Sequence, residues 1–287
     1  MKNKVCLVTG ATNGIGKATA TELATMGGTV VLGCRDRQRG EATRAEISLL
    51  TGNPSISILY GDLSSQEGAV KAAQDFRERF RSLHVLINNA GAVFPRRELT
   101  KDGIERTFAL NHLGGFLLTN LLIDIIKKSA PARIINVTSV TYRFVRFDPA
   151  NLQGELKFSP ALAYAQSKLA NIYFTQELAR RLEGTGVTVN CVHPGGIKTN
   201  IYNSTPVHKL YATLFGWTMG SPSKGASAVL HAATSPEVEG ITGGYFEEKK
   251  LKQPASHATD GQVSRQLWEI SEQLTRNHLT PWRDNSV

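Results

Sequence analysis

Long apolar runs, paired cysteines and basic tracts are all missing from this sequence. No stretch has the roughly 18 consecutive apolar residues of a membrane-spanning helix, and the charged start MKNKVCLVTG does not resemble a signal peptide. The three cysteines, Cys6, Cys34 and Cys191, are odd in number and far apart, which argues against a disulfide framework. We therefore expect a soluble, cytoplasmic protein with reduced thiols and no transmembrane segment.

The distribution of charge argues against a nucleic-acid partner. The net charge is +9, but the Lys and Arg residues are scattered and no basic run contains interleaved aromatic residues. We expect no nucleic-acid partner, and no metal site is predicted. With 287 residues, 41% of them hydrophobic, the chain has enough apolar material for one large α/β domain, which we favour over two small ones.

Apolar runs and helical segments alternate along the chain. Short runs rich in β-branched residues predict strands at 5–9, 29–33, 55–60, 85–88, 133–137 and 187–192. Helical periodicity predicts helices at 16–26, 39–50, 66–80, about 102–128 and 164–182. This alternation predicts a single doubly wound α/β domain, with a mostly parallel sheet and helices on both faces.

A glycine-rich loop, TGATNGIGKA, directly follows the first predicted strand. Gly10 would permit a tight turn, Gly14 would let a diphosphate approach the backbone, and Gly16 would allow close packing. The helix N-terminus would stabilise the negative charge. Glycines also mark ordinary turns, but their position between a strand and a helix predicts dinucleotide binding.

The spacing TGxxxGxG, with three residues between the first two glycines, resembles the short-chain dehydrogenase/reductase family, whose domain is a Rossmann fold. The resemblance extends over about residues 3–247, and further motifs follow in the family's order. These are NNAG at 88–91, Asn111, Ser139 in NVTSV, Tyr164 and Lys168 in YAQSK, and HPGGIKT at 193–199. The resemblance implies a nicotinamide cofactor and hydride transfer between that cofactor and a carbonyl or alcohol.

Four residues match the family's catalytic positions. Tyr164 would donate the proton to the carbonyl oxygen as general acid, and Lys168, one helical turn away, would favour its phenolate and bind the nicotinamide ribose. Ser139 would hold the carbonyl oxygen, and Asn111 would support a water chain that reprotonates the tyrosine. Taken separately, each residue also has an ordinary structural explanation, such as a strand-end serine or a surface lysine.

The resemblance also implies the cofactor contacts. They are Gly10, Thr12, Asn13, Gly14, Ile15, Gly16, Arg35, Asp62, Leu63, Asn89, Ala90, Gly91, Tyr164, Lys168, Pro194, Gly195, Ile197 and Thr199. Asp62 and Leu63 would flank the adenine; equally, they could be a helix N-cap and a packing residue. Ile197 would bond the carboxamide through its backbone, whereas the PGG sequence alone is simply turn chemistry.

The end of the second predicted strand indicates which nucleotide is bound. NAD-specific relatives carry a carboxylate where this chain has Cys34, and Arg35 follows it. A guanidinium binds a phosphate through paired donors, so NADP(H) is the predicted cofactor. In the alternative, Arg35 is solvated and Asp36 binds the ribose. Asn13 replaces a second basic residue that is common in NADPH-preferring relatives, so discrimination could be incomplete.

The substrate is predicted only as a class. The long Ser139–Tyr164 connection and the NLQGE sequence resemble the retinol-dehydrogenase-like branch, which implies a lipophilic, retinal-like aldehyde or ketone. Many retinoid-active relatives carry an N-terminal anchor, whereas this chain begins at the first strand, so we expect broader carbonyl specificity. An apolar lid is predicted at 204–225, within a substrate loop at about 200–225; the alternatives are a partner or membrane-surface helix, or core.

These predictions combine into an NADP(H)-dependent oxidoreductase with residues 1–250 as the dinucleotide-binding and catalytic domain and 251–287 as a C-terminal helical extension. In that extension QVSRQLWEISEQLT predicts an amphipathic helix over the sheet or the site. A reductase of a quinone or steroid ketone, and an NADP(H)-sensing regulator without turnover, remain alternatives. A homodimer through helices 112–128 and 164–182 is possible by resemblance.

Overall fold

The computed structural model describes residues 1–196 and 220–283 and contains one eight-stranded sheet. The strands are β1 Val5–Thr9, β2 Thr29–Cys34, β3 Ile56–Tyr60, β4 Val85–Asn88, β5 Ala132–Val137, β6 Val187–His193, β7 Tyr245–Glu247 and β8 Lys250–Lys252. Their order is β3-β2-β1-β4-β5-β6-β7-β8; only the last pair is antiparallel. The predicted doubly wound α/β fold is confirmed.

Helices cover both faces of the sheet. They are α1 Gly14–Thr25, α2 Arg37–Thr51, α3 Gln66–Arg79, α4 Arg106–Lys128, α5 Pro160–Arg181, α6 Pro222–Thr234 and α7 Gly261–Arg283. Side chains of β1 alternate between the faces: Leu7 packs with α3, α4 and α5, whereas Cys6 and Val8 pack with α1 and α6. Burial on both faces explains why the first six strands are almost continuously apolar.

Side-chain caps set the starts of α2, α3 and α5, among other helices. Asp36 Oδ1 accepts from Arg39 N at 2.8 Å, and Ser159 Oγ accepts from Leu162 N at 3.1 Å. Ser159 and the following proline therefore start α5 four residues before the predicted start at 164, and that predicted boundary was wrong. The cap of α3 is Ser65, not Asp62, so the capping explanation for Asp62 was also wrong.

Helix α4 differs most from its prediction. It begins at Arg106, not near residue 102, because the Glu105 carboxylate accepts from the backbone N–H groups of Thr107 and Phe108, both at 2.8 Å. A π turn, Ala109–Leu113, then precedes the regular part Gly114–Lys128. By length and composition α4 could cross a membrane, but 72% of its apolar window is buried in the protein, as in a core helix.

The last two strands and α6 were absent from the sequence prediction. Each of these strands has three residues, and β8 is charged and exposed, so neither shows the buried apolar run that marks the others. Strand β8 spans the 250/251 position at which the C-terminal extension was predicted to begin. The extension therefore continues directly from the edge of the sheet.

The C-terminal helix α7 lies on other helices and packs against α5, α4 and α3. Trp268 is buried between Phe116 of α4 and Phe174 of α5, with ring centroids 5.0 and 5.9 Å away, and the Arg181 guanidinium lies 4.1 Å from its ring. Helix α7 thus covers part of the two helices proposed for a homodimer. The dimer stays a prediction.

Candidate active site

The glycine loop lies against the NNAG segment that follows β4. Gly10 has φ +65°, and a Cβ atom there would lie 3.0 Å from Ala90 Cα. At Gly16 a Cβ would lie 2.3 Å from the Gly10 carbonyl oxygen and 2.4 Å from Asn89 Nδ2. Neither position has room for a side chain without movement of the backbone, which keeps the loop closed against its neighbour.

Thr9 and Asn89 tie these two segments together. The Thr9 hydroxyl oxygen accepts from the backbone N–H groups of Asn89 and Ala90, both at 3.0 Å. The Asn89 amide donates to the carbonyls of Thr9 and Gly10 at 2.9 and 3.3 Å. Sequence analysis missed Thr9, whose position at the last residue of β1, directly before the first glycine, was the available signal. The carboxyl ends of β1 and β4 therefore form one rigid edge.

The start of α1 fits a diphosphate. Asn13 occupies the N-cap in an extended conformation, and its side chain makes no capping bond with the described residues. Thr12 is half-buried, Ile15 packs against the core, and Gly14 has φ +53°. The backbone N–H groups of the first turn, together with the missing Cβ atoms of the loop, form the kind of cradle that an anionic nucleotide needs.

The end of β2 carries the two residues that could select the nucleotide, Arg35 by binding a 2′-phosphate and Asp36 by binding the ribose. Cys34 is buried, and burial raises the pKa of its thiol to about 11, while Arg35 is exposed. The Asp36 carboxylate caps α2, and the Arg37 guanidinium lies 4.5 Å from the centroid of the Tyr60 ring. The cap fixes Oδ1 of Asp36 at the start of α2, so a ribose bound by Asp36 would have to use Oδ2.

Asp62 and Leu63 follow β3. The Asp62 carboxylate accepts from the Ser64 backbone N–H at 3.0 Å and from its hydroxyl at 2.7 Å. The Leu63 side chain packs against the core, and a Cβ at Gly114 would lie 2.2 Å from the Leu63 carbonyl oxygen. This contact places the end of β3 directly against α4.

Asn111 lies within the π turn of α4 and is buried. Its Oδ1 accepts from Ala92 N at 2.8 Å, and its Nδ2 donates to Ala92 O and to Ser167 Oγ, both at 3.0 Å. The side chain therefore links the segment after NNAG to α5. Ser167, which sequence analysis did not identify, stands immediately before Lys168.

Tyr164 and Lys168 share one face of α5, as their spacing predicts. Lys168 Nζ lies 5.5 Å from the centroid of the Tyr164 ring and donates to the Val137 carbonyl at 3.1 Å. Lys168 is only 3% exposed, and this burial lowers the pKa of its ammonium to about 8. A Cβ at Gly91 would lie 3.4 Å from Nζ. The lysine thus sits in a narrow buried space beside NNAG.

Ser139 follows the end of β5 and remains partly exposed. Its Oγ accepts from Thr141 N at 3.4 Å, and the preceding Thr138 donates through its hydroxyl to the Lys168 carbonyl at 2.7 Å. The strand end is therefore fixed to α5 at the lysine. Of the four predicted catalytic residues, Asn111 is bonded to α5 through Ser167. Lys168 is bonded to the end of β5 through the Val137 carbonyl and to Thr138, which follows it.

The HPGGIKT segment is described only to residue 196. Pro194 is buried, and Gly195 has φ +92°, with a Cβ there 2.9 Å from Glu248 Oε1. Ile197, Thr199 and positions 204–219 of the predicted lid lie outside the described residues, whereas 222–225 form the first turn of α6. Within the described ranges, no group of three or more His, Cys, Asp and Glu side chains is placed to hold a metal ion.

The glycine cradle and the Tyr164–Lys168 pair at the carboxyl edge of a parallel sheet define a nucleotide-dependent oxidoreductase site. A family model described as short chain dehydrogenase matches residues 4–209. Human retinol dehydrogenase 11 is 42% identical over 271 residues, covering 94% of this chain and 85% of that protein. The chain belongs to the short-chain dehydrogenase/reductase family, in its retinol-dehydrogenase-like branch.

Solved structures agree with this assignment. An uncharacterised protein from Mycobacterium paratuberculosis superposes with a TM-score of 0.78 at 30% identity, covering 96% of this chain and 94% of that one. A short chain dehydrogenase from Burkholderia cenocepacia in complex with NADP has a TM-score of 0.68 at 28% identity, covering 86% and 96%. The family fold implies a nicotinamide cofactor for this oxidoreductase.

Proposed function

We propose that the protein transfers hydride between NADP(H) and a lipophilic carbonyl or alcohol, with Tyr164 as general acid and base. The observation that carries this proposal is the Tyr164–Lys168 pair, in which a buried ammonium lies 5.5 Å from the centroid of a partly exposed phenol ring. The NADPH-sensing regulator would not need this pair, because nucleotide binding alone does not require a proton donor.

When bound, the nicotinamide supplies the hydride or accepts it. Tyr164 gives its phenolic proton to the carbonyl oxygen as negative charge develops there, and Ser139 holds that oxygen by a hydrogen bond. The Lys168 ammonium stabilises the resulting phenolate by its charge. Since the pKa of Lys168 is about 8, the lysine is mainly charged at neutral pH and still exchanges protons readily.

Arg35 is the proposed determinant for NADP(H). It is exposed at the carboxyl end of β2, next to the buried Cys34, so a 2′-phosphate can reach its guanidinium without displacing protein contacts of Cys34. Two charge-assisted hydrogen bonds would favour the phosphorylated nucleotide. The cap, which directs Oδ1 of Asp36 to the backbone of α2, supports this choice over ribose binding by both carboxylate oxygens.

A lipophilic substrate is supported by relatives named retinol dehydrogenases, which include human retinol dehydrogenase 11. We propose a retinal-like aldehyde or ketone, with quinone and steroid ketones as alternatives within the same reaction class. A cytoplasmic location belongs to the proposal. It is supported by the three cysteines, none of which forms a disulfide within the described residues.

The test follows NADPH and NADH oxidation with aldehydes, ketones and quinones, using wild type, Tyr164→Phe and Arg35→Ala. We expect turnover with NADPH, its loss in Tyr164→Phe, and a rise of roughly 10- to 100-fold in the KM for NADPH in Arg35→Ala, with little change for NADH. Arg44→Ala, which removes an arginine of α2 that is paired with Glu41 at 3.0 Å, is the control for loss of one positive charge. NADPH binding without any turnover would instead support the regulator, and preference for NADH would contradict the role of Arg35.

A further inference from the structure

A buried chain of three polar side chains connects α7 to the catalytic region. Ser271 of α7, His112 of α4 and Asn171 of α5 are 0%, 1% and 5% exposed. His112 Nε2 lies 2.9 Å from Ser271 Oγ, and His112 Nδ1 lies 3.3 Å from Asn171 Oδ1. Sequence analysis assigned no role to any of them.

The Asn171 amide binds two carbonyls next to catalytic groups. Its Nδ2 donates to Asn111 O at 3.1 Å and to Val137 O at 3.2 Å, and the same Val137 oxygen accepts from Lys168 Nζ at 3.1 Å. Because both partners of Nδ2 are acceptors, the amide cannot be flipped without losing two hydrogen bonds. Its Oδ1 must therefore face His112.

This orientation fixes the tautomer of the histidine. Since Asn171 Oδ1 can only accept, His112 Nδ1 carries the proton and donates it. Burial lowers the pKa of His112 to about 4, so the ring is neutral and Nε2 is left with a lone pair. The Ser271 hydroxyl has two acceptors within reach, Leu267 O at 2.8 Å and Nε2 at 2.9 Å, and donation to Nε2 is the arrangement that leaves no buried ring nitrogen unsatisfied. Every donor in the chain points the same way, from α7 towards Asn111 and Val137.

The surroundings of His112 are apolar. Rings of Phe108, Phe116 and Phe174 have centroids 5.1, 6.1 and 5.9 Å from the imidazole. An unsatisfied nitrogen in such a site would cost more free energy than one that water can reach. His112 therefore depends on Ser271 and Asn171 for its hydrogen bonds, and the three residues act as a unit.

We propose that Ser271, His112 and Asn171 are positioning residues that hold the Asn111 backbone and the Val137 carbonyl where Lys168 needs them for proton transfer. The role rests on the proposed oxidoreductase function. Asn111 and His112, which are adjacent in the π turn, thus support different parts of the site. The side chain of Asn111 bonds Ala92 and Ser167, whereas the side chain of His112 extends the support to α7.

Substitutions at His112 and Ser271 test the chain of bonds. An asparagine at 112 keeps a donor near the place of Nδ1, whereas His112→Leu removes it. We expect His112→Leu to lower kcat roughly 10- to 100-fold and Ser271→Ala roughly 3- to 10-fold, with KM for NADPH and substrate nearly unchanged. His112→Asn should recover a large part of the loss. Ser264→Ala, which removes another buried hydroxyl of α7 that bonds Gln176 and Asp260, is the control.

Nitrogen-15 NMR of the histidine side chains supplies a readout independent of turnover. The resonances that disappear in His112→Asn identify His112. We expect them to show the neutral Nδ1–H tautomer at pH 7 and to shift in Ser271→Ala but not in Ser264→Ala. An Nε2–H tautomer, or equal kcat values for His112→Leu and wild type, would overturn the proposal. If the wild-type protein shows no turnover but His112 has the expected tautomer, the proposed function is refuted while the hydrogen bonds of Ser271, His112 and Asn171 are confirmed.

Discussion

Replacing Lys168 by methionine should abolish turnover and at the same time stabilise the protein without cofactor. The lysine is fully buried as an ammonium whose pKa falls from 10.5 to about 8 because of desolvation. Methionine fills a similar volume without a charge. The carbonyl of Val137 keeps Asn171 Nδ2 as a donor after the substitution, so no buried acceptor is left unpaired.

The magnitude follows from linkage. A folded-state pKa near 8 against 10.5 in the unfolded chain means that the unfolded state binds more protons between these values, so stability rises with pH there. The cost of burying the charge is about 3 kcal/mol below pH 8 and fades as the pH approaches 10.5. Loss of the bond from Lys168 to Val137 removes about 1 kcal/mol. The expected net gain for Lys168→Met is about 2 kcal/mol at pH 7.

Urea denaturation of wild type and variant at pH 7 and about pH 9.5 measures this difference, since other titrating groups cancel between the two proteins. We expect a higher free energy of unfolding for Lys168→Met at pH 7 and almost no difference at the higher pH. Lys127→Met, on the exposed side of α4, is the control for loss of a surface charge. A Lys168→Met variant that is less stable by the same amount at both pH values would refute the desolvation argument.

Three further predictions concern the cradle, α7 and the cap of α2. Gly16→Ala should weaken NADPH binding and cost about 1–3 kcal/mol because its Cβ meets the loop backbone, whereas Gly261→Ala, whose Cβ would meet nothing closer than Arg265 Nη1 at 3.7 Å, should bind NADPH normally in a fluorescence titration. Trp268→Ala should lower the free energy of urea unfolding by about 3–5 kcal/mol; a loss below about 1 kcal/mol would mean that α7 is not packed as described. Asp36→Ala should cost about 1 kcal/mol and leave the NADPH/NADH preference unchanged, since a change would show ribose contact.

The sequence pattern predicted the central sheet well because burial on both faces makes its strands apolar from end to end. The bounds of β1 and β4 match their predictions, and β2, β3, β5 and β6 differ by one residue at one end or the other. Edge strands lack this constraint. Strand β8 has an exposed lysine at each end and one exposed leucine, a pattern that is also typical of a loop.

The site was predicted by motif more than by periodicity. The motif residues between Gly10 and Lys168 do converge at the carboxyl ends of β1, β4 and β5 and on the helices beside them. The π turn could not be predicted, because inserting one residue into a helix leaves the apolar pattern of α4 nearly intact. For the same reason nothing in the sequence indicated that His112 faces α7 while its neighbour Asn111 faces the loop.

The buried ammonium explains why so many hydrogen bonds surround this edge of the sheet. A charge that costs free energy to bury will move towards water unless the backbone around it is fixed by other contacts. Here Thr138 binds the lysine's own carbonyl, Asn171 shares its acceptor, and Asn111 holds the loop packed against it. The same contacts that keep Lys168 desolvated lower its pKa to about 8, so the rigidity of the site and its capacity for proton transfer have one physical origin.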